Sequence, residues 1–254
     1  MTKKAPHPLV RALSRGQESL SKRLLWRQHL AEAQAGIEAI KRELPTIEML
    51  MTVPLLFRGK GHYRSLGMKQ DMTELLGLVN HLRQQPLRRV CEIGTYKGGT
   101  LFIWCQLAAP EARIYSIDLP GGQFGGGYNE RSLPFFQSFC KSGQTLQCLR
   151  GDSHDASIRA ALERSLDGAK LDFLFIDGDH TFAGVKQDFE MYSTLVSPGG
   201  VIALHDIVPR PDEPSIQVWR FWQELKQRYP DHHEWVNQSA QGRRIGIGMV
   251  SCPA

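Results

Sequence analysis

The sequence predicts an α/β protein. Its core should be a doubly wound, mostly parallel seven-stranded sheet of Rossmann-like type, with a C-terminal β-hairpin and an N-terminal helical arm. Three observations predict this. Apolar β-type runs near 88–93, 113–118, 145–151, 171–177 and 201–204 alternate with helical patterns, as a parallel sheet requires. The run from Leu171 to Ile176 is nearly all apolar, which suits a strand covered on both faces. After the first run comes Gly94-Thr95-Tyr96-Lys97-Gly98-Gly99, a glycine-rich step from strand to helix. Open α/β sheets build their ligand crevices with such turns.

Taken in order, residues 9–44 read as helix, because Leu13, Leu20, Leu24, Leu30, Ile37, Ile40 and Leu44 recur at three-, four- and seven-residue steps. Pro45 and Pro54 bracket a connector, and Phe57–Arg64 reads as a basic, aromatic loop able to act as a lid. Residues 1–66 are thus expected to form the arm and lid segment, and 67–254 the main domain. A helix ends before Pro86, and the first strand follows. Further helices are expected at about 100–108 and 131–141, from 181 to about Leu195, and around Trp219, Phe221 and Trp222. Gly121–Tyr128 is a glycine-rich loop whose Phe124 and Tyr128 could meet a ligand. Pro198-Gly199-Gly200 should turn the chain into the fifth strand. Two short β-type runs, 233–236 and 245–250, joined by a turn holding Gly242, complete the sheet.

The formal charge of +5 over 254 residues is unevenly placed. Residues 1–28 hold seven Lys/Arg against Glu18 alone, which leaves 24 basic and 25 acidic residues elsewhere. The body therefore has no nucleic-acid footprint. No run is long and apolar enough to span a bilayer, and the basic N-terminus lacks the apolar stretch of a signal peptide. Five scattered cysteines without C-x-x-C spacing fit a reduced compartment, so the expectation is a cytoplasmic protein. The helical arm is expected to pack between subunits of a homo-oligomer rather than on a membrane.

The residues that carry chemistry sit at strand ends. Glu92 closes the first strand and Asp118 the second, one βαβ repeat apart, where an acid can accept both ribose hydroxyls of a nucleoside. Gly151-Asp152-Ser153-His154-Asp155 follows the third strand, placed to meet an adenine edge, although Ser153 and Asp155 also suit helix capping. The fourth strand ends in Asp177-Gly178-Asp179-His180 and the fifth in His205-Asp206. Carboxylates with imidazoles at neighbouring strand ends make a cluster suited to Mg²⁺, Mn²⁺ or Fe²⁺.

Together, V-C-E-I-G-T-Y-K-G-G-T, Y-S-I-D-L, G-D-S-H-D, D-F-L-F-I-D-G-D-H-T-F and P-G-G-V-I-A-L-H-D, spread over residues 68–210, resemble the class I S-adenosylmethionine (SAM)-dependent methyltransferases. The resemblance is to their metal-dependent O-methyltransferase group, the macrocin O-methyltransferase and cephalosporin hydroxylase-like family. It implies the class I methyltransferase fold and SAM as cofactor. Glu92, Gly94, Thr95, Tyr96, Gly98 and Thr100 would lie along the methionine end, Asp118 and Leu119 at the ribose, and Asp152, Ser153 and His154 at the adenine, with Asp177 close by. It further implies Mg²⁺ or Mn²⁺ held by Asp177, His205 and Asp206, Asp179 or His180 as general base, and a small hydroxylated acceptor such as a sugar or secondary metabolite. His205 departs from the family pattern, in which a second carboxylate often precedes the last acid ligand. Acceptor choice is expected to rest on Tyr63, Phe124, Tyr128, Arg210 and Trp219. The rival readings are a metal-dependent hydroxylase and a non-catalytic SAM-binding scaffold; an NAD-linked enzyme is disfavoured because the turn is not G-x-G-x-x-G.

Overall fold

The computed structural model describes residues 8–122, 127–239 and 244–253, with side chains from Leu24 onward. Phe124 and the turn at Gly242 lie outside the described residues. Helices α1 (Pro8–Glu43), α2 (Ile47–Met51) and α3 (Val53–Leu56) precede α4 (Met72–Leu82) and strand β1 (Arg89–Ile93). Then follow α5 (Gly99–Leu107), β2 (Arg113–Asp118), α6 (Leu133–Gln137), β3 (Thr145–Arg150), α7 (Ala156–Leu166), β4 (Leu171–Ile176), α8 (Phe182–Tyr192) and β5 (Val196–His205). Helix α9 (Val218–Arg228), β6 (His232–Trp235) and β7 (Ile247–Ser251) complete the chain.

The strands form one sheet in the order β3-β2-β1-β4-β5-β7-β6. Strands β1 to β5 are parallel, while β7 runs antiparallel to both β5 and β6. The switch point therefore falls between β1 and β4, where crossovers depart in opposite directions and leave a crevice at the carboxyl ends.

Apolar side chains cover both faces. Leu75, Leu78, Phe102, Trp104 and Phe139 pack with Phe173 and Phe175 on one side. Leu162, Val185, Phe189, Phe221 and Trp222 pack with Ile93, Leu174 and Ile176 on the other. Alternate residues of β4 thus serve opposite cores, which explains the unbroken apolar run.

Local sequence sets the helix starts. Asp71, Asp155 and Thr181 accept backbone N–H groups at the first turns of α4, α7 and α8. The expected 45–54 connector instead holds α2 and α3; Thr46 caps the first, and Pro54 occupies the opening turn of the second, where a missing N–H costs nothing. The helix expected over 131–141 contracts to α6, with Pro134 in its first turn. The fifth strand begins at Val196, before Pro198-Gly199-Gly200, and its pairing with β4 is irregular there.

The described part of α1 packs on the same core: Ala33 and Ile37 are buried, and Lys41 Nζ donates to the carbonyls of Ser138 and Cys140, each at 2.8 Å. Leu24 and Leu25 are 65% and 52% exposed. The C-terminal segment is tied down by buried Glu74 of α4, which accepts from the N–H groups of Asn237, Ile245 and Gly246. No helix among the described residues is long and apolar enough to cross a membrane.

Candidate active site

A cavity of about 980 Å³ opens along the carboxyl ends of β1 to β5. Its walls include Gly94, Thr95, Tyr96 and Thr100 from the first turn, Asp118 and Leu119 after β2, and Asp152, Ser153 and His154 after β3. Asp177, Asp179 and His180 line it after β4, and His205, Asp206 and Arg210 after β5. Such a volume holds a nucleoside-sized ligand with room for a second small molecule.

The first turn is built for close approach. Gly94 has φ +89°, and a Cβ there would collide with the carbonyl of Asp177, so only glycine lets β1 and β4 end this near each other. Tyr96 adopts φ +52°, which costs about 1–3 kcal/mol for a bulky residue. Its N–H and that of Thr95 are aimed at Asp118 Oδ2, at 2.7 and 3.0 Å. Burial raises the Asp118 carboxyl to about 6, against these two bonds, which favour the anion.

Glu92 and Gly98 stand behind the wall. Glu92 is fully buried and accepts from Thr95 Oγ1 at 2.8 Å and Trp104 Nε1 at 2.9 Å. Burial drives its carboxyl up to about 8, against the hydrogen bonds from Thr100, Thr95 and Trp104. Its position thus braces the turn from the core side rather than facing the cavity.

The strand-four and strand-five ends form one network. Asp177 Oδ2 accepts from Gln70 Nε2 at 2.6 Å, and its Oδ1 lies 3.0 Å from His205 Nδ1. Asp206 Oδ2 lies 2.8 Å from His180 Nδ1, and its Oδ1 accepts from Arg210 at 2.6 Å. Asp206 itself adopts φ +66°, a left-handed conformation that Asp and Asn tolerate better than other side chains. Burial opposes ionisation of Asp206, but His205 and His180 outweigh it and hold the carboxyl well below its usual range. Burial likewise opposes charging of His205, and the carboxylates of Asp177 and Asp206 overcome it, pushing the imidazole up to about 10.

Ligand atoms of Asp177, His180 and Asp206 all lie within 4.8 Å of one another. That set draws in His180, expected as a base, and leaves out His205, expected as a ligand. His205 is buried on the inner side of the cluster, its Nδ1 turned to the two carboxylates and its Nε2 without a hydrogen-bond partner among the described residues. Two carboxylates and one imidazole suit a divalent ion that accepts nitrogen, such as Mn²⁺ or Fe²⁺, at least as well as Mg²⁺. Asp179 lines the cavity, and its Oδ1 accepts from the N–H of Thr181 at 2.8 Å.

Among the residues expected to choose the acceptor, Arg210 reaches the cavity. Tyr63 is buried in the core, its hydroxyl donating to the carbonyl of Arg131, and Tyr128 is buried against Ser116. Both also line a second, smaller cavity of about 300 Å³ that Tyr96 and Lys97 share, apart from the strand-end cluster. Trp219 is half-buried and stands apart from the cavity lining. The lining beside the first turn comes instead from Gly67, Met68, Lys69 and Gln70. Gln70 lies 107 positions from its partner Asp177 and belongs to no motif.

Residues 91–207 match the model of a family described as a methyltransferase domain. The chain's seven-stranded sheet has the α/β, Rossmann-like fold of the class I methyltransferases. The chain is similar to two uncharacterized proteins. One, y4gI from Sinorhizobium fredii, is 30% identical over 185 residues, 68% of this chain and 19% of that protein. The other, from Acanthamoeba polyphaga mimivirus, is 31% identical over 132 residues, 52% of this chain and 57% of that protein. The chain thus spans about a fifth of the first relative and somewhat over half of the second. Among solved structures, its fold is similar to that of the O-methyltransferase TomG from Streptomyces achromogenes, solved in complex with SAM. The two share 21% identity and a TM-score of 0.54, covering 75% of this chain and 83% of that one.

Proposed function

We propose that the chain transfers the SAM methyl group to a hydroxyl of a small polyhydroxylated acceptor, with His180 as general base. The observation that carries this reading is the 2.8 Å pair between His180 Nδ1 and Asp206 Oδ2 at the cavity wall. A carboxylate on one ring nitrogen orients the imidazole and stabilises the imidazolium formed when the other takes a proton. Asp118 would accept the ribose hydroxyls, and Asp152, Ser153 and His154 would border the adenine. Arg210 and Gln70 hold the carboxylates of Asp206 and Asp177 in place, and Arg210 reaches far enough into the cavity to meet acceptor oxygens.

A second reading is favoured by the convergence of Asp177, His180 and Asp206. In it these residues hold a divalent ion, which would lower the acceptor hydroxyl's pKa, and Asp179 takes the proton. The two readings compete for His180. The cluster holds one imidazole and two carboxylates, the inverse of the two-histidine, one-carboxylate set of Fe²⁺ oxygenases, so it gives less support to a hydroxylase. Assembly through α1 is part of the proposal as well, supported by exposed Leu24 and Leu25.

The test is incubation with methyl-labelled SAM and a cell's small-molecule extract, with and without EDTA, followed by mass spectrometry. Label on a hydroxyl oxygen of a product is expected. Transfer unaffected by EDTA supports His180 as base; loss restored by Mn²⁺ or Mg²⁺ supports the metal-assisted reading. Label found only on nitrogen or carbon would contradict both.

A further inference from the structure

Beneath the third strand end lies a carboxylate that the readings above do not use. Asp188 of α8 has no exposed surface, and among the described residues neither of its oxygens has a hydrogen bond of regular geometry, the side chains of His154 and Ser153 being the groups that face them. A buried carboxylate without compensation is costly, and such a residue persists where a charged partner faces it. That partner is His154, whose Nε2 lies 3.3 Å from Asp188 Oδ1 and 3.1 Å from the carbonyl of Gly184. His154 also lines the cavity.

The groups facing His154 come from two elements. Asp188 and the Gly184 carbonyl approach from α8, and Asp152 from its own loop, with Oδ1 3.7 Å from His154 Nδ1. Asp188 is in turn faced by the Ser153 side chain and, at longer range, by Asp179. Since Nε2–H is committed to α8, the character of Nδ1 depends on the ring's charge. In the neutral ring Nδ1 can only accept; in the imidazolium it donates.

We propose that Asp188 is a positioning residue for cofactor selection: it keeps His154 a two-donor imidazolium, so that Nδ1–H is offered to a ring nitrogen of the bound base. This rests on the reading of the cavity as the SAM site. An acceptor, Asp152, beside a donor, His154, matches the amino group and ring nitrogen of adenine. It mismatches hypoxanthine, which presents a carbonyl oxygen and an N–H along the same edge. In support, the Asp188 contact raises the His154 imidazole to about 9, against the effect of burial, while burial pushes the Asp188 carboxyl up and the contacts from His154 and Ser153 hold its anion against that.

The test is calorimetry of S-adenosylhomocysteine (SAH) and S-inosylhomocysteine from pH 5.5 to 8.5 on the full chain, for wild type, Asp188→Asn and His154→Gln. Wild type should prefer the adenosyl compound at least about tenfold throughout this range, because a mispaired polar edge is strongly rejected. Asp188→Asn should lose most of that preference at pH 8. Relative to wild type at the same pH, it should regain it below about pH 6, where an unassisted imidazole charges by itself. His154→Gln should discriminate poorly at every pH. A merely structural role for Asp188 would give a loss that acid does not restore, and that result overturns the inference. So does unchanged discrimination in either variant. If Asp188→Asn does not fold, the charge of His154 in the wild type decides, read from its imidazole NMR resonances at pH 8: a charged ring supports the inference and a neutral ring overturns it. Failure of wild type to bind SAH at any pH would overturn both this inference and the cofactor reading, whereas wild-type binding with indifferent variants overturns this one only.

Discussion

His180 Nδ1 and Asp206 Oδ2 face each other at 2.8 Å across the ends of two neighbouring strands. The contact depends on backbone as much as on side chains. Asp206 turns left-handed at the end of β5, and His180 is held where its carbonyl accepts the N–H of Gln217 at 2.7 Å. If this pair moves the proton, His180→Gln should lower methyl transfer about 10²- to 10⁴-fold, the usual contribution of a general base. SAH affinity should change little. Asp206→Asn keeps the backbone conformation accessible and should give a comparable loss. Single-turnover rates beside SAH titrations check this; a mild His180→Gln with a severe Asp179→Asn would move the base to Asp179.

Arg210 predicts a different pattern. Its guanidinium donates to Asp206 at 2.6 Å and salt-bridges Glu213 at 2.9 Å. Arg210→Ala should remove a charge-assisted bond worth about 1.5–3 kcal/mol at a largely buried carboxylate. Under the base reading, activity should fall. Under the metal reading, loss of a neighbouring cation should instead tighten Mn²⁺ binding, which the paramagnetic broadening of bound Mn²⁺ can report.

Glu92 carries a pH dependence of stability. Its folded-state carboxyl lies near 8, above its ordinary value, so between the two the folded state binds more protons than the unfolded chain. Stability should therefore decline as pH rises through that window. Glu92→Gln keeps an acceptor for Trp104 and Thr95 and should flatten the decline, as urea unfolding at pH 5 and pH 8.5 would show. An equal decline in the variant would place the titrating group elsewhere.

For assembly, Leu24→Asp with Leu25→Asp leaves the buried Ala33 and Ile37 intact while charging the exposed part of α1. Light scattering should show an oligomer for the parent and a monomer for the double variant. A parent that is already monomeric would remove the proposed interface.

The strand-end acids were legible in the sequence because parallel strands repeat at βαβ spacing, so Asp118, Asp177 and Asp206 had to reach one edge of the sheet. Their partners were not legible in the same way. Gln70 precedes α4 and meets Asp177 only through tertiary packing. Glu92 shares the motif position yet faces inward, since a strand's alternation decides its direction by the fit of Trp104 and Thr95 behind it. Tyr63 and Tyr128 read as loop aromatics able to meet a ligand, whereas the apolar surface of Phe135 and Phe136 draws their rings inward. Asp188 sits in an amphipathic helix where nothing local distinguishes a buried acid from a solvated one.

The most direct test of the account is SAH binding by calorimetry to wild type and Asp118→Ala at neutral pH. In the proposed site Asp118 would offer the ribose two charge-assisted hydrogen bonds, each worth about 1.5–3 kcal/mol. The account predicts micromolar-range binding to the wild type, no NAD binding, and a loss of at least about tenfold in the variant, where each 1.4 kcal/mol is a factor of ten. Equal affinity in the two proteins would take Asp118 out of the site, and a wild type that binds NAD but not SAH would contradict the account at its centre.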